Sequence, residues 1–363
     1  MSDDNDLTRR EFLDKGARTG AAVVGYPAID TLVKGGLAAL AGLEVLLDYG
    51  CAHLSFKEEA PVIYPLLPGH KVQPPKDGCF FGLNYGARYQ LGHYKNYEHS
   101  LGKAPKVAML HHMRSYLGFP MGDVTNLIED GLIPLVTWDP VRIVSMYSLK
   151  GIASGNADDD IRVFAKDAAK VKHPYFIRNM IEMNLPSGGM WAYSGQPKYY
   201  GKAWRRFWQI FADEGANEYV TWVWNPYVHY YGTGEKYYPG DEYVDWIGFD
   251  GYNGGSSRNM EWEPFDGLFE SAYKSTRKKH PLKPIMICEF ACNEERGHDK
   301  AKWITDAYNS MKEKHPGIKA VIYFNENWRG PHTNIPMLGA ITTSQKSLEA
   351  FKKAIANPYF IGR

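Results

Sequence analysis

Mostly apolar runs recur along this chain from residue 79 onward and alternate with more polar, amphipathic segments. The runs are rich in Val, Ile and aromatic residues, and several lack the polar alternation expected of a strand that has one face in water. Such runs predict parallel strands that are covered on both faces. The predicted strands span residues 79–84, 106–112, 132–138, 174–182, 218–225, 243–250, 283–289 and 318–324.

The segments between these runs place apolar residues at helical spacing. In residues 159–171, Ile161, Phe164 and Ala168 share one face behind an acidic start, a pattern typical of an amphipathic helix. Further helices are predicted around residues 204–211, 265–278, 301–312 and 348–355. Eight repeats of strand and helix predict a closed (β/α)8 barrel, forming a single catalytic domain over residues 77–363.

The N-terminal residues predict an export signal rather than a part of the barrel. Residues 8–13 (TRREFL), which include Arg9 and Arg10, resemble a twin-arginine export motif, and residues 39–41 form a small-x-small cleavage site. Residues 1–41 are therefore predicted to be a signal segment read by the twin-arginine export machinery, and residues 42–76 an N-terminal extension or linker. The alternative is a helix start, because Thr8 and Glu11 also have capping-box spacing.

Composition narrows the possible partners. The 363 residues carry a formal net charge of +1, which gives no field that favours nucleic acid or an anionic membrane. No apolar run approaches the roughly 20 residues that span a bilayer, so we expect a secreted or periplasmic protein without stable membrane insertion. The four cysteines are too sparse for a disulfide scaffold and lack metal-ligand spacing, although a bridge from Cys51 stays open.

Polar and aromatic residues stand at or just beyond the end of nearly every predicted strand. Barrel enzymes keep their chemistry at this end, and all ten tryptophans fall between Trp138 and Trp328, which suits a cleft that stacks on sugar rings. His111 and His112 are adjacent in a strand, so only one of them can face the cleft. The strand-end residues are Asn84, His111, His112, Trp138, Asp139, Glu182, Asn184, Trp224, Asn225, Asp250, Tyr252, Glu289, Asn325 and Trp328.

Glu182 and Glu289 are the predicted catalytic residues. Each is expected to close an apolar strand, where burying a carboxylate is costly without compensating partners. Cleaving a glycosidic bond with retention needs one carboxylate as nucleophile and a second carboxyl group that is protonated at rest, about 5–5.5 Å apart. We expect Glu182 to hold the proton and Glu289 to stay ionised.

Four segments resemble glycoside hydrolase family 26, whose members are retaining (β/α)8 enzymes that include endo-β-1,4-mannanases. They are residues 178–184 (RNMIEMN), 222–226 (WVWNP), 237–253 (YYPGDEYVDWIGFDGYN) and 283–290 (KPIMICEF). The resemblance implies that Glu182 is the acid/base, Glu289 the nucleophile, Tyr252 its partner and Trp328 a platform under the cleaved sugar. The predicted substrate-binding residues are His112, Trp138, Arg178, Asn184, Trp191, Trp224, Asp250, Tyr252 and Trp328.

Two departures from the family pattern leave the substrate open. Ile181 replaces the histidine that precedes the acid/base, and Leu185 replaces a glycine, so the next aromatic residue is Trp191. A β-1,4-mannan is the first expectation, and mixed-linkage β-glucan and β-1,3-xylan are alternatives. From other classes, a non-catalytic glycan-binding or surface protein and a metal-dependent hydrolase using His111 or His112 with Asp250 stay open. The leading hypothesis needs no metal or cofactor.

Overall fold

The computed structural model describes residues 64–84, 98–112, 118–139, 147–186, 193, 195–258, 260–329 and 335–363. The predicted signal, residues 1–41, lies outside the described residues, as does most of the predicted linker. The domain boundaries therefore stay predictions.

Eight parallel strands form one sheet that closes on itself, because β8 also pairs with β1. Each strand pairs with the next strand along the chain, and helices lie between them in sequence. The predicted (β/α)8 barrel is confirmed. The strands are β1 Cys79–Asn84, β2 Val107–His112, β3 Ile133–Trp138, β4 Tyr175–Asn179, β5 Val220–Trp224, β6 Trp246–Asn253, β7 Ile285–Cys292 and β8 Ile318–Phe324.

The helices begin where the local sequence can satisfy a helix start. Three aspartates occupy the first turn of α3, Pro197 is in the first turn of α4, and the Asp299 side chain accepts from the Lys302 N–H at the start of α7. The helices are α1 Met121–Glu129, α2 Leu149–Ala153, α3 Asp158–Ala168, α4 Pro197–Asp213, α5 Tyr231–Gly234, α6 Phe265–Lys279, α7 Lys300–Lys314 and α8 Gln345–Ala356.

Three further strands are short and lie outside the ring of eight. Strands β9 (Asn327–Arg329) and β10 (Pro336–Leu338) form an antiparallel pair beyond the end of β8. Strand β11 (Phe360–Ile361) pairs with the start of β1. The 3-10 helices are Ala216–Glu218, Val228–Tyr230, Glu235–Tyr237, Asp241–Tyr243, Gly255–Arg258 and Ile341–Thr343.

The hydrophobic core has two layers, one inside the barrel and one between the barrel and its helices. The inner layer fills the lower part of the lumen and includes Met109, Phe176, Trp246 and Met286. The outer layer is larger and packs the other face of each strand against the helices. A residue's position in its strand therefore decides whether it reaches the lumen or the helix layer.

Residues 64–76 pack against the lower end of the barrel, where the strands begin. Val72 donates its N–H to Thr221 Oγ1 at 2.8 Å and accepts from Trp246 Nε1 at 3.3 Å. Lys71 forms a mostly buried ion pair with Asp245, with 2.8 Å between Nζ and Oδ2. This segment closes the lumen from below, so the open end is the one that carries the predicted site.

Candidate active site

Glu289 faces the barrel axis because of a bulge in β7. The register with β6 pairs Phe249 with Ile287, but the next pair is Asp250 with Glu289, so Cys288 is an extra residue. Successive strand residues normally alternate between faces. Here Cys288 packs in the lumen and Glu289 also reaches the axis, contacting groups from other strands. The predicted strand 283–289 does not end at the glutamate, since β7 continues to Cys292.

Arg178 is the centre of the charge network around Glu289. Its guanidinium donates to Glu289 Oε1 and lies 3.4 Å from both carboxylate oxygens of Asp250. Two further bonds fix its orientation, to Thr137 Oγ1 at 2.6 Å and Asn225 Oδ1 at 3.2 Å. Arg178 and Asp250 are fully buried. Both side chains belong to the network around Glu289, which is itself only 5% exposed, and their role in substrate binding stays a prediction.

The network shifts the pKa values of Glu289 and Asp250 in opposite directions. Burial raises the pKa of Glu289, but the charges of Arg178 and His111 and the hydrogen bond from Tyr252 outweigh it and hold that pKa below its ordinary value. Burial raises the pKa of Asp250, and the neighbouring Glu289 charge raises it further, against the opposing effect of Arg178. One cation thus acts on both acids, and it lowers the pKa of each against the opposing effect of burial.

Tyr252 links the surroundings of the two predicted catalytic residues. Its hydroxyl donates to Glu289 Oε2. Burial raises the pKa of Tyr252, and the charges of Glu289, Asp250 and Glu182 raise it further. Glu182 and Glu289 therefore act electrostatically on the same phenol. The structure brings both glutamates to the same end of the barrel, as predicted.

Glu182 lies on a turn beyond the end of β4, not at the end of the strand. Strand β4 ends at Asn179, and both Met180 (φ 47°) and Glu182 (φ 52°) adopt left-handed backbone. Such a conformation costs a non-glycine residue about 1–3 kcal/mol and persists only where the surroundings hold it. The Met180 N–H donates to Trp138 O at 3.1 Å, and the Glu182 N–H to Asn225 O at 2.8 Å. Strands β3 and β5 therefore fix this turn from both sides.

The side chain of Asn184 is hydrogen-bonded within the protein. Its Nδ2 donates to Tyr227 O at 2.8 Å, and its Oδ1 accepts from the Tyr227 N–H at 2.8 Å. The side chain is 6% exposed. Its amide joins the turn after β4 to the segment after β5, which helps to hold Glu182 in place. The role of Asn184 in substrate binding stays a prediction.

Trp138 and Trp224 do not line the cleft, which corrects another prediction. Trp138 is 1% exposed and stacks on Phe164 of α3, with 3.8 Å between ring centroids. Trp224 is fully buried and packs edge-on against Tyr238 at 5.0 Å. Both belong to the layer between barrel and helices. Their strand positions alternate with inward-facing residues, so they project outward.

Trp328 is the predicted aromatic residue that does reach the site. It is half-buried and packs edge-on against Tyr252 at 5.1 Å and Phe324 at 5.0 Å. A side chain at Gly339 would come within 2.7 Å of its ring, so the glycine allows the ring to lie against the β10 segment. Its role as a sugar platform stays a prediction.

His111 contacts the network around Glu289. Its Nε2 lies 3.5 Å from Glu289 Oε1 and 3.4 Å from Arg178 Nη2. The register explains this, because His111 is level with Thr137 on β3, and Thr137 is level with Arg178 on β4. The His112 side chain and Trp191 lie outside the described parts of the structure.

Glu326 is a site residue that the sequence analysis missed. It follows β8 by two residues, and its Oε1 accepts from Asn84 Nδ2 at 3.0 Å. Burial raises the pKa of Glu326, the bond from Asn84 opposes this, and the Glu289 charge adds to the rise. Its position between Asn325 and Trp328, both recognised as strand-end residues, is the signal that could have found it.

Among the described residues, no group of three or more His, Cys, Asp or Glu side chains is arranged to hold a metal ion. In the same part of the chain, none of the helices has the length and apolarity that a bilayer crossing requires.

Residues 155–276 match the sequence model of glycosyl hydrolase family 26. The matched range includes Glu182 and Tyr252 and ends before Glu289. Endoglucanase H of Acetivibrio thermocellus is 34% identical to this chain over 244 residues, which are 62% of this chain and 25% of that protein. The chain thus matches about a quarter of the length of this relative.

Solved structures share the fold at lower identity. The β-mannanase BoMan26A from Bacteroides ovatus aligns with a TM-score of 0.59 and 18% identity, covering 79% of this chain and 90% of that one. A double mutant of the Cellulomonas fimi endo-β-1,4-mannanase aligns with a TM-score of 0.58 and 16% identity, covering 78% of this chain and 72% of that one.

Proposed function

We propose that the chain is a glycoside hydrolase of the family 26 type and a retaining endo-β-glycanase, with Glu289 as nucleophile and Glu182 as acid/base. The observation that carries this proposal is the environment of Glu289. It is a buried carboxylate at the open end of the barrel, kept ionised by Arg178 and Tyr252. A buried anion held in that state suits a nucleophile.

The reaction has two steps on one anomeric carbon. Glu289 attacks that carbon while Glu182 donates its proton to the leaving glycosidic oxygen, which gives a covalent glycosyl-enzyme. Glu182, now a carboxylate, then takes a proton from the water that attacks the same carbon, and Glu289 leaves. Tyr252 and Arg178 stabilise the free carboxylate of Glu289 before the first step and after the second.

Two polysaccharides are candidate substrates. A β-1,4-mannan is the substrate that the four resembling segments implied, and the solved structures of similar fold include mannanases. A β-glucan is the second candidate, because Endoglucanase H is 34% identical, about twice the identity of those mannanases. Both place a chain of β-linked hexoses across the same pair of glutamates.

A panel of polysaccharides tests the proposal. Purified protein is incubated with β-1,4-mannan, mixed-linkage β-glucan, cellulose and β-1,3-xylan, and the products are separated by size. An endo-acting enzyme releases mixed oligosaccharides from at least one of them. Proton NMR of the first product formed then reads its configuration: retention gives the β-anomer first, while the α-anomer would reject the double-displacement mechanism. Binding without release of any sugar would favour the non-catalytic alternative.

We also propose export through the twin-arginine route, which rests on residues 8–13 alone. Replacing Arg9 and Arg10 with lysine preserves the charge but changes the recognised pair. The protein should then stay inside the cell, as measured by fractionation with an immunoblot. Secretion equal to that of the parent chain would reject the twin-arginine route.

A further inference from the structure

We propose that Glu326 is a substrate-recognition residue, whose carboxylate accepts a hydrogen bond from a hydroxyl of the sugar on the glycone side of the cleaved bond. This inference rests on the proposed function, since it assigns a role in the same cleft. It adds to Glu182, Glu289 and Asp250 a fourth carboxyl group, one that takes no part in bond cleavage.

The end of β8 is part of the wall around Glu289. Phe324, the last residue of the strand, packs edge-on against His111 at 5.6 Å, Tyr252 at 5.7 Å and Trp328 at 5.0 Å. Two of these residues, His111 and Tyr252, contact Glu289 directly. Glu326 lies two residues beyond Phe324, on the segment that leads into Trp328. It is therefore near enough to the nucleophile for the Glu289 charge to raise its pKa, and it precedes Trp328 by two residues in the chain.

Asn84 holds one oxygen of Glu326 and leaves the other available. The fully buried Asn84, at the end of β1, donates Nδ2 to Oε1 at 3.0 Å. Within the described part of the chain, no hydrogen bond or ion pair occupies Oε2. Glu326 is only half-buried, so this oxygen belongs to a side chain that solvent reaches. The arrangement is that of an oriented acceptor in a cleft.

The barrel order decides on which side of the cleaved bond Glu326 lies. In the ring of eight strands, β8 is four strands from β4, so their ends are on opposite walls. Glu182 follows β4 and must reach the leaving-group oxygen, which puts the leaving sugar on its side. The sugar that becomes attached to Glu289 then extends toward the opposite wall, where Glu326 and Trp328 lie.

The local charge explains why a sugar hydroxyl suits this position. Burial and the nearby Glu289 charge both raise the pKa of Glu326, and Asn84 only partly opposes them. A donated hydroxyl hydrogen bond stabilises the ionised form and adds no net charge beside Glu289. A lysine or arginine here would instead compete with Arg178 for the nucleophile.

The test compares Glu326→Gln with Glu313→Gln, a matched change at an exposed position of α7. The profile of kcat/KM against pH is measured on the oligosaccharides that the substrate panel identifies. Loss of a hydrogen bond to a charged acceptor should lower the plateau of kcat/KM by about 10- to 100-fold in the first variant and leave the second unchanged. A plateau of kcat/KM equal to that of the parent protein would overturn the inference. The inference would also fail if the acid limb of the profile moved to lower pH while the plateau stayed unchanged.

A second variant tests the part played by Asn84. Asn84→Ala should lower the plateau less than Glu326→Gln does, and should add no further loss when both changes are combined, because both act on one contact. Fully additive losses would contradict the assigned arrangement.

Binding separates this inference from the proposed function. Should the parent protein hydrolyse no polysaccharide, the proposed function fails. Oligosaccharide affinity, measured by calorimetry with and without Glu326→Gln, would still decide the role of Glu326. A dissociation constant that rises about 10-fold or more supports recognition, and an unchanged constant rejects it.

Discussion

The two glutamates of the site reach the barrel axis by different structural routes. Glu289 lies inside a continuous strand, where a bulge turns it inward, and Arg178, Tyr252 and His111 contact its carboxylate. Glu182 lies beyond the end of its strand on left-handed backbone, and a main-chain bond to Asn225 fixes its position. Side chains from several strands thus contact the carboxylate of Glu289, and left-handed backbone with a main-chain hydrogen bond sets the position of the Glu182 main chain.

This difference matches the two chemical tasks. A nucleophile must be negative at rest, so burying it requires a fixed cation and hydrogen-bond donors. An acid/base gains and loses a proton in every cycle, and what it needs above all is placement beside the glycosidic oxygen. The following predictions test whether the two surroundings really differ in this way.

The largest effect is expected from Glu289→Gln. The amide keeps the size of the side chain but cannot attack the anomeric carbon. We expect kcat/KM to fall by more than about 10⁴-fold, beyond the range for losing a proton-transfer group. Hydrolysis is measured on the substrate that the panel identifies, with circular dichroism to check the fold. Activity within tenfold of the parent protein would remove Glu289 from the role of nucleophile.

The loss of activity in Glu182→Gln should depend on the leaving group of the substrate, whereas the loss in Glu289→Gln should not. Loss of the proton donor is expected to cost about 10²–10⁴-fold on the polysaccharide. An aryl glycoside with an activated leaving group needs little protonation, so its glycosylation step should be slowed far less. Parallel assays on both substrates make the comparison. Equal losses on the two substrates would contradict the acid/base role.

Arg178→Met tests the charged surroundings of the nucleophile. Removing one partner of a buried ion pair leaves an uncompensated charge, so we expect the free energy of unfolding at pH 7 to fall by about 3–5 kcal/mol. The pKa of Glu289 should rise without the cation, so the deficit should shrink as the pH is lowered and the carboxylate takes up a proton. Urea unfolding at several pH values measures both.

The matched control is Arg162→Met on α3, which removes the partly exposed ion pair with Glu214. This change should lower the free energy of unfolding far less than Arg178→Met does, because solvent screens the ion pair. Equal losses of stability in the two variants would mean that the buried ion pairs of Arg178 contribute no more to folding than a partly exposed pair does.

Tyr252→Phe removes one hydrogen bond to Glu289 and should have a smaller effect. A bond to a charged acceptor contributes about 1.5–3 kcal/mol, so kcat/KM should fall by about 10- to 100-fold. Because that bond favours the ionised carboxylate, the pKa of Glu289 should rise and the acid limb of kcat/KM should move to higher pH. Tyr308→Phe, a buried tyrosine of the helix layer whose hydroxyl has no hydrogen-bond partner among the described residues, should leave the profile unchanged.

The smallest effect is expected from Gly248→Ala, which probes the bulge. A methyl group there would lie 2.6 Å from Cys288 Sγ, 3.0 Å from Val223 Cγ1 and 3.2 Å from Asn225 Cγ. We expect overpacking to lower the free energy of unfolding by about 1–3 kcal/mol. Adding Cys288→Ala should restore part of this, because the nearest clashing atom is removed. No recovery in the double variant would argue against the packing described for the bulge.

The fold could largely be predicted from the amino-acid sequence. Strands β1 and β8 match their predicted limits, and the other predicted strands lie within a few residues of the observed ones. Hydrophobic runs covered on both faces leave few other arrangements. The site could be predicted only in part. Tyr252 contacts Glu289, and the Glu182 charge acts on the same tyrosine, whereas Trp138 and Trp224 pack in the helix layer and Glu326 was missed.

The sequence by itself determined the barrel, the end at which its polar residues gather and the two glutamates, because periodicity and residue type are local properties. Only the tertiary structure decided which strand-end residues face the axis. That depends on strand register, on the bulge at Cys288 and on the left-handed turn at Glu182, each of which shifts a side chain from one face to the other. Neighbouring strands and backbone hydrogen bonds fix these features, and a single run of residues does not encode them.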